Sequence, residues 1–212
     1  MTPTRSRAGR LPRDFYDRST LDVARDLLGK VLVHNRRGCL TSGAIVEVEA
    51  YIGESDPACH AAPGPTTRNA PLYGPPGYAY VYLNYGIHNL VNVVTEAQGS
   101  PAAVLIRALD PIDGIEAMRR RRRRPAKGRR AIDALLATHE LCRGPGNLTM
   151  AMGITLAENR LDLLGDRLWI EDRGLTVDAM RWGPRIGIRV GTERPWRAAV
   201  ADHAAVSATR SA

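Results

Sequence analysis

Two carboxylates and a tyrosine alternate with apolar residues in the segment 44–51. Alternation with a period of two is typical of a β-strand, so Glu47, Glu49 and Tyr51 share one face while their apolar neighbours pack on the other. A carboxylate beside an aromatic ring at the end of a strand is a candidate general base. Taken alone, the segment favours a solvent-facing edge with ordinary surface acids, so the choice depends on the rest of the chain.

Five of the seven tyrosines fall within thirteen positions. Strand alternation places Tyr78, Tyr80 and Tyr82 on one face, and Tyr85 on the other face at a predicted hairpin tip. A tyrosine platform with a further aromatic at a tip suits base stacking and insertion of a wedge into a duplex. Tyrosine is also a good strand former with a half-buried face, so a purely structural reason stays open.

Two polar residues interrupt otherwise apolar predicted strands. Asn92 lies within Leu-Val-Asn-Val-Val, and Arg107 follows Ala-Ala-Val-Leu-Ile. Buried polar groups need partners, which either a ligand or an internal hydrogen-bond network would supply. His60 lies beside Cys59, but nothing nearby completes a metal shell. We therefore expect no metal and no cofactor.

The elements that must position these residues are short strands and helices. The predicted strands cover 30–33, 43–51, 77–85, 90–95, 102–109, 168–171 and 185–190. Helices are predicted after Ser19, from Asp110-Pro111, over 131–141 and from Gly144-Pro145-Gly146. Because strands and helices mix without a βαβ rhythm, we expect an α+β fold with a mostly antiparallel, curved β-sheet core flanked by helices.

The length of 212 residues fits one domain with a sizeable core, predicted over 11–202. Residues 1–10 and 203–212 are predicted to be disordered tails. Nine basic residues and no acid lie in 119–130, and without these nine the formal net charge of +8 becomes −1. This segment is predicted to be a basic loop, either solvated or in contact with phosphates.

Three cysteines at wide spacing, Cys39, Cys59 and Cys142, argue against a disulfide scaffold or a zinc module. No stretch is apolar and long enough for a membrane helix, and the basic start of the chain lacks the apolar run of a signal peptide. We therefore expect an intracellular protein, cytoplasmic or nucleoid-associated, with no membrane partner.

A series of short motifs runs in order along the chain. They are Glu47-Val48-Glu49-Ala50-Tyr51, His60, Arg68-Asn69, Gly74-Pro75-Pro76-Gly77, Tyr80-Val81-Tyr82, Tyr85-Gly86, Asn92, Leu105-Ile106-Arg107-Ala108-Leu109, Leu141-Cys142-Arg143-Gly144-Pro145-Gly146 and Pro184-Arg185-Ile186-Gly187-Ile188. Together they resemble the alkyladenine (3-methyladenine) DNA glycosylase family. The resemblance covers nearly the whole chain, which makes it far more specific than any single motif.

The resemblance implies a monomeric enzyme that flips a damaged purine out of double-stranded DNA and hydrolyses its N-glycosidic bond, leaving an abasic site. By similarity, Glu49 deprotonates the attacking water and Arg107 helps to position it. Tyr85 is then the wedge on a protruding β-hairpin. Tyr51, His60 and Tyr82 line the base pocket by similarity, and Asn92 contacts its floor. The other DNA-binding residues implied are Arg68, Asn69, Gly144 and Gly146.

The chemistry of the lesion fits these residue types. An N3- or N7-alkylated purine is cationic, so aromatic faces attract it and it leaves the sugar readily. The Asn92 amide can clash with the exocyclic amino group of guanine. Glu47 is expected either to support the site from behind or to be merely exposed.

A glycosylase that also cuts the backbone commonly uses an amine nucleophile. Lys30 and Lys127 are the only lysines, and neither belongs to the implied pocket. We therefore expect a monofunctional enzyme. Three positions that bear on lesion range and DNA affinity depart from the family pattern: Thr67, Asn89 and Asn147.

Two other functions are alternatives to a glycosylase. A non-catalytic nucleic-acid-binding module would use the tyrosines as a stacking platform, but the presence of both Glu49 and Arg107 argues against it. A hydrolase of free nucleosides would use a similar carboxylate and stacking pocket, but Tyr85 at an exposed tip argues against it.

Overall fold

Strand β2 (Cys39–Ile52) lies at the centre of an antiparallel sheet and pairs with three other strands. The computed structural model describes residues 9–123 and 136–207. The other strands within them are β1 (Val31–Arg36), β3 (Ala79–Asn84), β4 (His88–Val94), β5 (Ala102–Asp113), β6 (Leu168–Glu171), β7 (Met180–Gly183) and β8 (Arg197–Val200). Their order is β3-β4-β5-β2-β1-β6, and β8 pairs with both β2 and β7.

Short helices pack against this sheet. They are α1 (Arg13–Tyr16), α2 (Thr20–Leu27), α3 (Ile115–Arg122) and α4 (Pro145–Met152), with 3-10 turns at Ala70–Tyr73, Thr138–Glu140 and Leu156–Glu158. Helix α2 buries an apolar stripe against β2, and α4 packs on β4 and β5. Removing these stripes from water is the main contribution to stability of such elements. The arrangement confirms the predicted α+β fold.

An irregularity in the middle of β2 bends the sheet where the two carboxylates lie. The pairing of β2 with β5 shifts register between Ile45 and Val48. Such bulges bend a strand and increase its twist. As a result, β1 pairs with the first half of β2, whereas β8 pairs with Glu47–Glu49. The two halves of one strand thus belong to different parts of a curled sheet.

Helix α2 begins directly after Ser19, as the sequence predicts. Ser19 is the N-cap residue, but its side chain makes no capping hydrogen bond. Instead, the backbone N–H and hydroxyl of Thr20 both donate to the carboxylate of Glu96. The helix ends at Leu27, and Gly29 beyond it is in the left-handed conformation at φ +81°.

The predicted helix start at Asp110-Pro111 is wrong. Strand β5 continues through both residues to Asp113, and α3 begins only at Ile115. The break between them is Gly114, at φ +74°, where a Cβ would collide with the backbone carbonyl of Leu40. Only glycine tolerates this combination of conformation and close approach.

The first four arginines of the predicted basic loop are helical, since α3 extends to Arg122. Arg121 donates to the Ala151 carbonyl at 2.9 Å, and Arg122 bonds to the side chain of Asn147. These guanidinium groups therefore attach α3 to α4, whereas Arg120 and Arg123 are exposed. Residues 124–130, and the part 131–135 of a predicted helix, lie outside the described residues.

Three further segments differ from the sequence-based prediction. Residues 185–190, predicted as a strand, form an irregular segment. Arg10, placed in a loose tail, pairs with Asp166 at 2.7 Å and lies over the ring of Trp169. Ala205, placed in the other tail, is fully buried. Local composition could not anticipate these contacts, because each partner is distant in the sequence.

Candidate active site

A cavity of about 480 Å³ opens between the tyrosine-bearing strand β3, the centre of the sheet and the segment 186–190. Six of the predicted site residues line it: Tyr51, His60, Tyr82, Tyr85, Asn92 and Arg107. They come from β2, the loop after it, β3 and its following turn, β4 and β5. The antiparallel order of the sheet therefore brings together residues that the sequence places up to 56 positions apart.

Three aromatic side chains form one wall of the cavity. The ring centroids of His60 and Tyr82 are 4.4 Å apart, and those of Tyr80 and Tyr82 are 5.3 Å apart. His60 Nδ1 lies 2.9 Å from the Tyr80 hydroxyl. Burial raises the pKa of Tyr80 to about 12, and burial with the nearby charge of Arg68 lowers the pKa of His60. The wall is therefore neutral at neutral pH.

The loop that carries His60 is held in place by Asn69. The Asn69 amide donates to the carbonyls of His60 and Gly64, both at 2.8 Å, and accepts from Thr66 N at 2.6 Å. The residue is buried and both amide hydrogens are used within the loop. Asn69 thus supports the wall from behind, whereas its neighbour Arg68 is exposed and lies 5.9 Å over the Tyr82 ring.

Glu49 lies directly behind the lining residues and is fully buried. Its Oε1 accepts from Ile186 N at 2.6 Å and lies 3.1 Å from Arg107 Nη1. Its Oε2 accepts from the Tyr51 hydroxyl at 2.8 Å. Burial, followed by the charge of Glu49, raises the pKa of Tyr51, so the phenol stays protonated as a donor. The carboxylate is fixed in one orientation and Oε2 has a lone pair left for a further donor.

Arg107 bridges Glu49 to the second carboxylate of β2. Its Nε lies 3.3 Å from Glu47 Oε1, which also accepts from Arg197 at 3.0 Å. The other oxygen of Glu47 accepts from the backbone N–H of Ser207 at 2.9 Å. Burial lowers the pKa of Arg107, but the two carboxylates outweigh it and raise that pKa above its ordinary value. Glu47 is completely buried, so its interpretation as an exposed acid is wrong.

Asn92 is buried, lines the cavity and donates to the Tyr80 carbonyl at 3.1 Å. That bond uses one of its two amide hydrogens. The remaining donor and the amide oxygen can contact a ligand in the cavity. The bond to Tyr80 fixes which way the amide faces.

Tyr85 lies at the rim, in the turn that joins the antiparallel strands β3 and β4. It is 87% exposed and has a positive φ of 49°, which is uncommon for a tyrosine. Ile87 in the same turn is 73% exposed. A large ring and an apolar side chain are therefore presented to solvent beside the mouth of the cavity.

The two glycines near the start of α4 have different roles. Gly144 is the N-cap residue at φ 89°. A Cβ on Gly146 would lie 2.8 Å from the ring of His88, so this glycine allows close packing of α4 on β4. Between them, Pro145 lines the cavity. The structure does not bring Gly146 to the cavity itself.

A buried ion pair at this site was not found from the sequence. Arg185 and Asp56 are both fully buried and form two hydrogen bonds, at 2.5 and 2.8 Å. Trp196 packs against the same guanidinium. No local pattern could indicate the pair, because its members are 129 residues apart.

The part of the chain that the structure describes contains neither a metal ligand set nor a membrane-spanning helix. No three His, Cys, Asp or Glu side chains converge there as a metal ligand set. None of the helices in residues 9–123 and 136–207 has both the length and the apolar character needed to span a bilayer.

The chain is similar throughout to proteins of one family. The family model for methylpurine-DNA glycosylase matches residues 14–204. A protein of Methanocella arvoryzae named "Putative 3-methyladenine DNA glycosylase" is 50% identical over 191 residues, 88% of this chain and 90% of its own length. Proteins of the same name from Bradyrhizobium diazoefficiens (50% identical, 88% of this chain and 85% of its own) and Prosthecochloris aestuarii (44%, 94% and 91%) are also similar. The chain therefore belongs to the methylpurine-DNA glycosylase family of DNA-repair enzymes.

Proposed function

We propose that this DNA glycosylase removes alkylated purines from double-stranded DNA by flipping the base into the described cavity and activating a water with Glu49. One observation carries the proposal: a buried carboxylate, fixed by Arg107 and Tyr51, lies behind a cavity with an aromatic wall. Every side chain that this reaction requires comes from one chain. We therefore propose that the enzyme acts as a monomer.

The aromatic wall supports selection of a cationic base. An N3- or N7-alkylated purine is attracted to the faces of Tyr82 and its neighbours, and a neutral His60 does not repel it. A normal purine is neutral and gains less. The amide of Asn92 adds discrimination against ordinary guanine, because its clash with the exocyclic amino group is offset only when the base is cationic and is attracted by the aromatic wall.

The proposed reaction breaks the bond between C1′ of the sugar and the purine nitrogen. The electron pair of this bond stays with the base and cancels its positive charge, so the departing base needs little protonation. A water held at the free lone pair of Glu49 Oε2 adds its oxygen to C1′ and gives its proton to the carboxylate. Arg107 keeps Glu49 in place. The product is an abasic site in an intact strand.

The function is tested by single-turnover release of 7-methylguanine from a duplex, with undamaged duplex and free 7-methylguanosine as comparison substrates. We expect release from the damaged duplex alone. Borohydride in the same assay should trap no covalent complex, because Lys30 is paired with Asp172 and absent from the cavity lining. Binding of the duplex without release would favour the binding module, and release from the nucleoside alone would favour the nucleoside hydrolase.

Replacing Tyr85 with serine should slow release from duplex DNA by roughly 5- to 150-fold, because a stacked aromatic contributes about 1–3 kcal/mol. Release from a single strand should change little, since no stack has to be refilled there. Leu156, an exposed residue that does not line the cavity, provides the matched control Leu156→Ser. Equal losses on single and double strands would contradict a wedge role.

Acidification should weaken binding of a cationic lesion by several-fold. His60 is neutral at neutral pH because its pKa is lowered, so it takes up a proton only below about pH 6.5 and then repels the cationic base. The measurement is the Kd for a 7-methylguanine duplex against pH, in the non-cleaving Glu49→Gln variant. A duplex with neutral ethenoadenine should show a smaller change, and Glu49→Gln combined with His60→Gln should remove the difference between the lesions. A persisting difference would assign the effect to another group.

A further inference from the structure

The guanidinium of Arg185 is enclosed on all sides. It forms the two hydrogen bonds to Asp56 and also donates to the carbonyls of Ala50, at 3.0 Å, and Gly191, at 3.3 Å. Its Cζ atom lies 4.7 Å from the centre of the Tyr51 ring. Arg185 directly precedes residues 186–190, the irregular segment that lines the cavity.

Stability alone does not account for this pair. Burying two charges costs free energy that their attraction only partly offsets, and an apolar pair of the same size is often as stable. Here the Nε of Arg185 is also buried without a hydrogen-bond partner, which adds to the cost. Burial alone would raise the pKa of Asp56, but its bonds to Arg185 outweigh burial and lower that pKa. Both groups are therefore charged.

Two of the three donors to Glu49 depend on Arg185. Ile186, the next residue in the chain, donates its backbone N–H to Oε1 at 2.6 Å. The ring of Tyr51, whose hydroxyl donates to Oε2 at 2.8 Å, is packed on the guanidinium. Arg107 is the third donor and reaches Glu49 from β5 independently.

We propose that Arg185, locked by Asp56, is a positioning residue that holds both Ile186 N–H and the Tyr51 hydroxyl on Glu49, so that the carboxylate is correctly oriented for the attacking water. This inference rests on the proposed function, because it needs Glu49 to be the base. Lysine cannot replace this arginine, since an ammonium group offers neither a bidentate fork nor a flat face for Tyr51.

The test is Arg185→Lys, measured by single-turnover release of 7-methylguanine, by duplex binding and by thermal unfolding. We expect release to slow by about 10- to 100-fold with duplex Kd within threefold of the wild type, as for small displacements of a catalytic group. A merely structural role would not separate the release rate from duplex binding in a protein that is still folded at the assay temperature. The other groups near Glu49, namely Arg107 and, across it, Glu47, are unchanged in this variant.

Arg10 provides a matched control, because it is also paired with an aspartate and lies 4.6 Å over a tryptophan ring, but far from the cavity lining. Arg10→Lys should lower the melting temperature without changing the release rate. If Arg185→Lys does not fold, Asp56→Asn, which keeps one acceptor for the guanidinium, should also slow release, by a smaller factor and again with duplex Kd within threefold of the wild type.

The outcomes separate the two proposals. A folded Arg185→Lys that releases base at the wild-type rate, or that loses duplex binding in proportion to release, overturns the positioning role and leaves the proposed function standing. A wild-type protein that releases no base overturns the proposed function and this inference with it.

Discussion

Glu49→Gln should slow release of 7-methylguanine from duplex DNA by about 10²- to 10⁴-fold, the usual contribution of a general base. Glutamine keeps the shape of the side chain. Its oxygen can accept from Ile186 N and Arg107, and its amide can donate to the Tyr51 hydroxyl oxygen, so the surrounding hydrogen bonds survive. What the variant loses is the capacity to take a proton from water.

Single-turnover release and duplex binding must be measured together for this variant. We expect the Kd of the damaged duplex to stay within a few-fold of the wild type. Glu47→Gln is the matched control, since it makes the same chemical change two residues away on a carboxylate that is bound by Arg107, Arg197 and the N–H of Ser207. Unchanged release in Glu49→Gln would remove Glu49 from the role of base, and an equal loss in both variants would assign the effect to their shared partner Arg107.

The second large effect concerns stability and the other carboxylate of β2. Glu47→Ala should lower the free energy of unfolding by about 3–5 kcal/mol, because it leaves buried charge without its partner. Arg197 loses the carboxylate that it contacts at 3.0 Å, Arg107 loses one of its two, and the N–H of Ser207 loses its acceptor. Truncation also leaves a cavity in a closely packed region.

Chemical denaturation of Glu47→Ala, measured at neutral pH, tests this expectation. Glu116→Ala removes a carboxylate that is 80% exposed and lies 3.7 Å from Arg119, so it should cost at most about 1 kcal/mol. Comparable small losses in both variants would show that the buried cluster contributes little to folding. The contrast between Glu47 and Glu49 then separates a carboxylate that stabilises the fold from one that performs chemistry.

Strand alternation predicted which side chains lie together better than it predicted their surroundings. Period-two alternation placed Glu47, Glu49 and Tyr51 on one face, and all three do converge on the Arg107 cluster. The same alternation located Tyr80 and Tyr82 side by side. Such patterns are local consequences of strand geometry, so they can be obtained from a single segment.

Alternation within one strand could not indicate which residues are buried or which distant residues they contact. Glu47 resembled a surface acid because its partners, Arg197 and Ser207, lie about 150 residues further along the chain. Residues 185–190 have the apolar composition of a strand. The side chain of Arg185, however, is held in the interior by Asp56, and no strand forms. Local propensity was therefore wrong where long-range ion pairs determine the structure.

The pairing of β2 with β8 has a consequence for how the protein is made. Glu47 and Glu49 leave the ribosome well before strand β8, which pairs with them, because Arg197 of that strand lies 150 residues after Glu47; Ser207, whose N–H binds Glu47, follows 160 residues after it. The nascent chain must therefore keep the edge of its central strand open, with both acids still hydrated, until these segments emerge. Contacts of such large sequence separation slow folding, and Glu49 acquires its final environment only after β8 has been made.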